Sequence, residues 1–306
     1  MTVSIEDENP HAGEDPSFRD AVTFSFGDPV VQLYGLARLG LGGDGASGFA
    51  VVHHGEEVAG SSMETRPDSA GAATWDEVRA AGVRSRVITP LEAWHVSYDG
   101  GRNAGFDLRF EAVSAPAALG DDNPAARAAG MNGYEQLCSV KGQVLVGGKP
   151  VNVRCHGQRG HLWGAPDWSG IELARTLSAW FDEGSGLTLT SVRPAKAKHH
   201  DEEILGGFVI TGGEPVQIFD PRLSTAYDSE HRQRRAGLEL WMQEEGGLAH
   251  RAAGEAVCGT TMDLGELHLT SAFFHWKMEG HEGAGRYDVM RRVSAEGAGR
   301  GSRRRR

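Results

Sequence analysis

Gln158, Arg159, His161, Trp163, Asp167 and Trp168 crowd one short stretch of the chain, interleaved with Gly157, Gly160, Gly164 and Pro166. Between them they offer a proton donor or acceptor, a cation, a carboxylate and two indoles. Binding sites are mostly apolar walls carrying a few placed polar groups, so this make-up fits the mouth of an apolar pocket. It fits equally a pair of tryptophan core plugs beside a hydrogen-bonded structural histidine. Tyr134 and Gln136 share one strand face, as do Tyr34 and Arg38, and each pair suits a cavity wall or a cross-strand contact. Glu135 is a further carboxyl candidate. Trp94 and His95 are neighbours on a strand, so at most one points into a given interior; a packed indole and a solvated histidine are expected. Adjacent histidines at His53, His54 and His199, His200 face opposite ways and have no Cys or carboxylate at ligand spacing, so no metal site is expected. Ser169 and Ser271 lack a GxSxG context. With no P-loop, no GxGxxG between strand and helix and no HExxH, no cofactor is expected.

The elements that must position these groups read as strands. Residues 151–156 alternate, with Val151, Val153 and Cys155 on one side and Asn152, Arg154 and His156 on the other. Beyond them the glycines and Pro166 predict an irregular loop through 168. In 105–113, Phe106, Leu108 and Phe110 oppose Asp107, Arg109 and Glu111, the pattern of a half-buried strand. The chain holds 43 glycines in 306 residues, far above the usual share, and they separate short alternating runs. Many turns imply many strands. Short helices are expected only at 75–81, after Thr74, and at 123–129.

Length allows two ordinary domains. The order read from the sequence is a disordered N-terminus over 1–17, a β domain over 18–115, a Pro-, Asp-, Ala- and Gly-rich linker over 116–133, a second β domain over 134–295 and a basic disordered tail over 296–306. A net charge of −11, from 42 acidic and 31 basic side chains, would repel phosphate backbones and anionic membranes, so no nucleic-acid partner is expected. No apolar run approaches the length of a membrane-spanning helix, and the acidic start lacks a signal-peptide pattern. Cys138, Cys155 and Cys258, odd in number and without CxxC spacing, read as buried thiols of a reducing, cytoplasmic compartment.

Tyr134 to Gln136, the run KGQVLVGGKPVNV that follows, the GQRGHLWGAPDW stretch, the terminal WKMEGHEGAGRYDVMRR and the early LYGLARLG together resemble the AttH-like and hydroxyneurosporene-synthase (carotenoid hydratase) superfamily, over residues 25–293. The resemblance implies a pair of lipocalin-like, calycin-type β-barrels. It also implies cofactor-free addition of water to, or cyclisation of, isoprenoid or polyene substrates. In the hydratases the residue before the histidine of this stretch is an aspartate proposed as proton donor; here it is Gly160.

Protonating an alkene needs a carboxylic acid kept protonated by an apolar surround, and aromatic faces to stabilise the carbocation. The sequence therefore predicts an all-β protein of two packed β-barrel or sandwich domains, acting as a cofactor-independent isomerase, cyclase or hydratase on a lipophilic terpenoid or polyketide inside a barrel cavity. His161, Asp167, Arg159 and Glu135 are the expected proton-handling or polar-holding groups. Trp163, Trp168, Trp94, Tyr34, Gln158 and Tyr134 are the expected pocket walls. The rival is a carrier that binds an apolar ligand in the same barrel and releases it unchanged; a structural or interaction protein without a cavity is the third reading.

Overall fold

The computed structural model describes residues 2–67, 72–182, 184–199, 202–244 and 247–293. It is all-β and antiparallel, as the alternation predicts. The first unit comprises β1 (Arg19–Asp28), β2 (Leu33–Gly42), β3 (Gly45–His54), β4 (Glu57–Arg66), β5 (Arg79–Ala80), β6 (Val83–Thr89), β7 (Ala93–Asp99), β8 (Ala104–Ala112), β9 (Ala117–Leu119), β10 (Met131–Val146) and β11 (Lys149–Gly164). The second comprises β12 (Ile171–Asp182), β13 (Ser185–Pro194), β14 (Ile204–Thr211), β15 (Glu214–Gln217), β16 (Asp220–Tyr227), β17 (Gln233–Trp241), β18 (His250–Asp263), β19 (Leu267–Met278) and β20 (His281–Arg292). One helix, α1 (Pro124–Ala129), is capped by Asn123, whose Oδ1 accepts from Ala125 N and Ala126 N.

The two sheets repeat one topology. The first runs β4-β3-β2-β1-β11-β10-β8-β7-β6-β5, with β9 paired to β10; the second runs β15-β14-β13-β12-β20-β19-β18-β17-β16. In each, a four-strand meander is followed by a jump to the far edge and a meander back, so the last strand pairs with the first. The first sheet curls into a nearly closed barrel. Its ends are tied where Ser62 Oγ donates to Ala81 O at 2.5 Å and Ala81 N donates to Glu64 Oε2 at 2.6 Å. The second is a half-barrel. The GGKP turn is a two-residue hairpin loop in which Gly147 and Gly148 both have positive φ, 57° and 76°, the type I′ form that matches strand twist.

Several expectations are corrected. The domain division does not fall at 116–133: those residues hold β9 and α1, and β10 and β11 belong to the first barrel, leaving 165–170 as the connection between the sheets. Nor is 157–164 a loop. It is the second half of β11, a strand paired on both sides, and Gly157 serves close strand packing: a Cβ there would lie 2.3 Å from Ser25 O. The expected helix at 75–81 is a 3-10 turn over Trp75–Glu77. The expected disordered start over 1–17 is not free in its described part: Ile5–Glu8 forms a 3-10 turn and Glu8 is buried. The basic tail lies outside the described residues.

Among the described residues, packed side chains occupy the interior of each unit where a hollow was expected. Phe24, Phe26, Trp94, Phe106, Phe110 and Val140 are among the side chains that fill the first barrel, and Leu177, Leu189, Phe274, Trp276 and Tyr287 are among those that fill the half-barrel. Each such burial contributes about 1.5–3 kcal/mol. A third cluster, including Tyr34, Leu36, Leu137, Trp180 and Phe273, lies between the sheets. Among the described residues no helix is long and apolar enough to cross a membrane.

Candidate functional site

Alternation splits the singled-out residues between two places. On β11, Arg159, His161 and Trp163 point into the first barrel, whereas Gln158 and Gly160 point to the seam between the sheets. On β10, Tyr134 and Gln136 point inward and Glu135 faces the seam. The pairing is direct: Tyr134 lies opposite His161, Gln136 opposite Arg159 and Glu135 opposite Gly160.

Inside the barrel the N-terminal segment closes a polar cluster. Arg159, fully buried, is ion-paired with Glu8 and lies over the rings of Trp94 and Tyr134, 4.8 and 4.7 Å from their centroids. Glu8 also accepts from Trp94 Nε1 at 3.0 Å and from Leu91 N at 2.9 Å. His161 Nε2 is 2.7 Å from Asp20 Oδ1, while Asp20 Oδ2 accepts from His11 N at 2.6 Å. The His11 ring stacks on Trp163, centroids 3.8 Å apart and planes 10° apart. Burial lowers the His161 pKa, and the hydrogen bond and charge of Asp20 oppose that shift without outweighing it. Burial alone would raise Asp20, but hydrogen bonds from His11 and His161 outweigh it and hold the carboxyl below its usual range. For His11, burial opposes the charge, yet Asp20 and Asp7 prevail and raise its pKa. The donor atoms of His11, Asp20 and His161 lie within 4.8 Å of one another, a spacing a divalent cation could bridge. Here Asp20 already engages both imidazole-bearing residues. With the barrel filled beneath it, this cluster pins a terminal segment across the barrel end.

The seam is different. Glu135, Gly160, Thr23 and Arg38 form a cross-strand row on the first sheet, and Thr188, Ser178 and Arg286 form one on the second. The rows face each other: Arg286 and Thr188 both act on the Glu135 carboxyl. Two residues along β10, a Cβ on Gly186 would meet Leu137 Cδ1 at 2.8 Å. Polar atoms here lack partners within the protein, as do Arg159 Nε and Nη1 and His161 Nδ1 in the barrel cluster. Glu135 Oε2, both polar atoms of Gln158, Ser178 Oγ, Thr188 Oγ1 and Arg286 Nη1 are buried and unbonded, each a liability of about 1–3 kcal/mol unless something else bonds it. Burial pushes the Glu135 pKa up to about 7; Arg286, Thr188 and Gln158 pull the other way, the last two without reaching hydrogen-bond geometry. At one edge of the seam a cleft of about 610 Å³ opens against Gly27, Ser139, His156, Trp180 and Ala284. A smaller one, about 220 Å³, touches Cys258, Thr260 and Ser271. Ser139 is four residues along β10 from Glu135, about 13 Å at the rise of a strand.

The remaining expectations fall apart spatially. Asp167 is exposed on the connection between the sheets and caps its own turn, accepting from Ser169 N at 2.9 Å and Ser169 Oγ at 2.6 Å, which lowers its pKa. It is not a buried acid. Trp168 is half-buried on the same turn, and Tyr34 packs in the seam against Phe273, ring centroids 5.5 Å apart. Trp94 is buried and His95 half-exposed beside Asp107, as opposite facing requires. Sequence reading missed Glu8, His11 and Asp20, far away in the chain and carrying no local signal. It also passed over Arg286 and Asp288, although both stand in the terminal stretch that carries the resemblance.

This two-sheet architecture is shared with several solved structures. The structure superposes on a protein assigned to AttH from Nitrosomonas europaea with a TM-score of 0.69, at 11% identity over 92% of this chain and 95% of that one. CghA bound to Sch210972 gives a TM-score of 0.65 at 10% identity, covering 91% and 89%. Kievitone hydratase from Nectria haematococca gives 0.63 at 12% identity, covering 89% and 88%. By sequence, residues 4–293 match the family described as domain of unknown function DUF7064, and the chain belongs to that family. No functionally curated protein matches it in sequence.

Proposed function

We propose that this protein is a cofactor-independent enzyme acting on a lipophilic small molecule, of terpenoid or polyketide type, held in the seam between its two sheets. The observation that carries this reading is Glu135: a fully buried carboxyl with a bare oxygen, surrounded by polar side chains that also lack partners, at the junction of polar rows and an apolar cluster. A carboxyl poised near neutrality can give and retake a proton. Glu135 donates its proton to an alkene carbon, the π pair forms the new C–H bond, and a carbocation and a carboxylate result. Trp180, Phe273 and Tyr34 offer ring faces to that cation. Capture by water with loss of a proton from the oxonium gives a hydratase, attack by an internal alkene that moves the cation and then loses a neighbouring proton gives a cyclase, and direct loss of a neighbouring proton gives an isomerase; in each case the released proton returns to the Glu135 carboxylate. The names of two structurally similar proteins support a small-molecule substrate: one is a hydratase of kievitone and the other was solved with Sch210972.

The carboxyl stands across the ladder from Gly160. An added Cβ there meets nothing nearer than Glu135 Cγ at 3.8 Å, so Glu135 occupies the space into which a longer residue at 160 would project.

The test starts from protein purified under native conditions from its source, with any co-purifying small molecule identified by mass spectrometry. That molecule is incubated in D₂O with wild type and with Glu135→Gln. Deuterium incorporation by wild type but not by the variant is expected. Equal incorporation removes Glu135 from the mechanism, and a molecule returned unchanged by both makes the protein a carrier.

A further inference from the structure

Building on the reading of the seam as the binding site, we propose that its ligand carries an anionic oxygen, a carboxylate or an enolate, on an otherwise apolar body. The charges facing the seam do not balance. Arg38 and Arg286 bring two guanidiniums; Glu135 and Asp288 bring the carboxyls that act on them. Asp288 is committed: Oδ1 accepts from Ser271 Oγ at 2.6 Å, and Oδ2 is 3.3 Å from Arg286 Nε. Glu135 is drawn toward its neutral form by burial. One guanidinium is left over.

Arg38 is that group. It is half-buried, and among the described residues no carboxylate lies within ion-pair distance of it. Arg286, 6% exposed, spends Nε on Asp288 and keeps Nη1 bare. A buried guanidinium nitrogen without a partner, as at Arg286 Nη1, is costly, and a guanidinium matches a planar oxyanion with two parallel hydrogen bonds. Neighbouring unbonded groups agree in kind: the Gln158 amide and the Thr188 and Ser178 hydroxyls can all donate. Donors therefore outnumber acceptors around the bare Glu135 oxygen. The flanking walls, Leu36, Leu137, Trp180 and Phe273, are apolar, which sets the rest of the molecule.

Decanoate and decan-1-ol share a chain and differ in the head group, so their comparison isolates charge. Titrated calorimetrically at neutral pH, wild type is expected to bind decanoate at least about tenfold more tightly than decan-1-ol. Arg286→Gln is expected to erase that preference while leaving decan-1-ol binding in place, and Arg286→Lys to retain part of it. Arg38→Met, which leaves the Arg286–Asp288 pair intact, is expected to weaken decanoate by a similar factor and serves if Arg286→Gln does not fold. Equal affinity for the two probes, unmoved by Arg286→Gln and Arg38→Met, overturns the anionic ligand and spares the seam. Decanoate binding that survives Leu137→Trp, which blocks the seam, overturns the seam itself.

Discussion

At the scale of single residues, the proposed chemistry turns on what surrounds Glu135. A carboxyl with an ordinary pKa of 4.5 that burial lifts to about 7 binds its proton more tightly folded than unfolded. Stability from this group is therefore greatest below about pH 4.5 and falls as pH rises toward 7, a loss of about 3 kcal/mol at one pKa unit per 1.36 kcal/mol. Glu135→Gln, which cannot ionise, is expected to escape that loss. Urea denaturation at pH 5 and pH 8 checks this: the variant should gain relative to wild type at the higher pH, and a parallel decline in both would refute it. Two glycines of β11 are also told apart by their neighbours. Gly157→Ala drives a methyl to 2.3 Å from Ser25 O and is expected to cost about 1–3 kcal/mol or more. Gly160→Ala meets only ordinary contacts at 3.8 Å and beyond and is expected to be neutral or to stabilise by up to about 1 kcal/mol. Thermal melting of the two variants separates them.

At the scale of elements, β11 carries two unrelated jobs on its two faces. Its inward residues hold the N-terminal segment and its outward ones line the seam, so a strand read as one functional stretch serves two places. The hold on the segment depends on pH through His11. Its pKa is raised in the fold, so its contribution is complete below the ordinary value near 6.5 and disappears as pH rises through the folded value. His11→Ala is accordingly expected to destabilise more at pH 5.5 than at pH 9, read as the protection of 2–18 against limited proteolysis. The strand alternation of β8 and the short helix near 123–129 were legible because each is fixed by side chains a few residues apart. The course of 157–164 was not, because glycine signals both a turn and a close approach of neighbouring strands. Only the presence of β1 and β10 on either side decides which.

For the whole molecule, the pocket belongs to neither unit. Two copies of one topology, each filled with its own core, leave polar and aromatic groups facing one another where they meet. Trp180 belongs to that meeting and is almost wholly buried. Trp180→Ala is expected to cost about 3–5 kcal/mol and to change binding of seam probes, while Trp168→Ala, on the half-exposed connection, should do little to either. Denaturant titration with a ligand present and absent distinguishes them. The sequence alone determined the all-β class and the build from two β units, because alternation, turn chemistry and composition are local properties. Which of the singled-out residues stand together was decided by the tertiary structure alone. Glu8 reaches Arg159 and Asp20 reaches His161 from far along the chain, and Glu135 meets Arg286 across two sheets; such encounters follow from strand order and sheet packing, which no local pattern encodes.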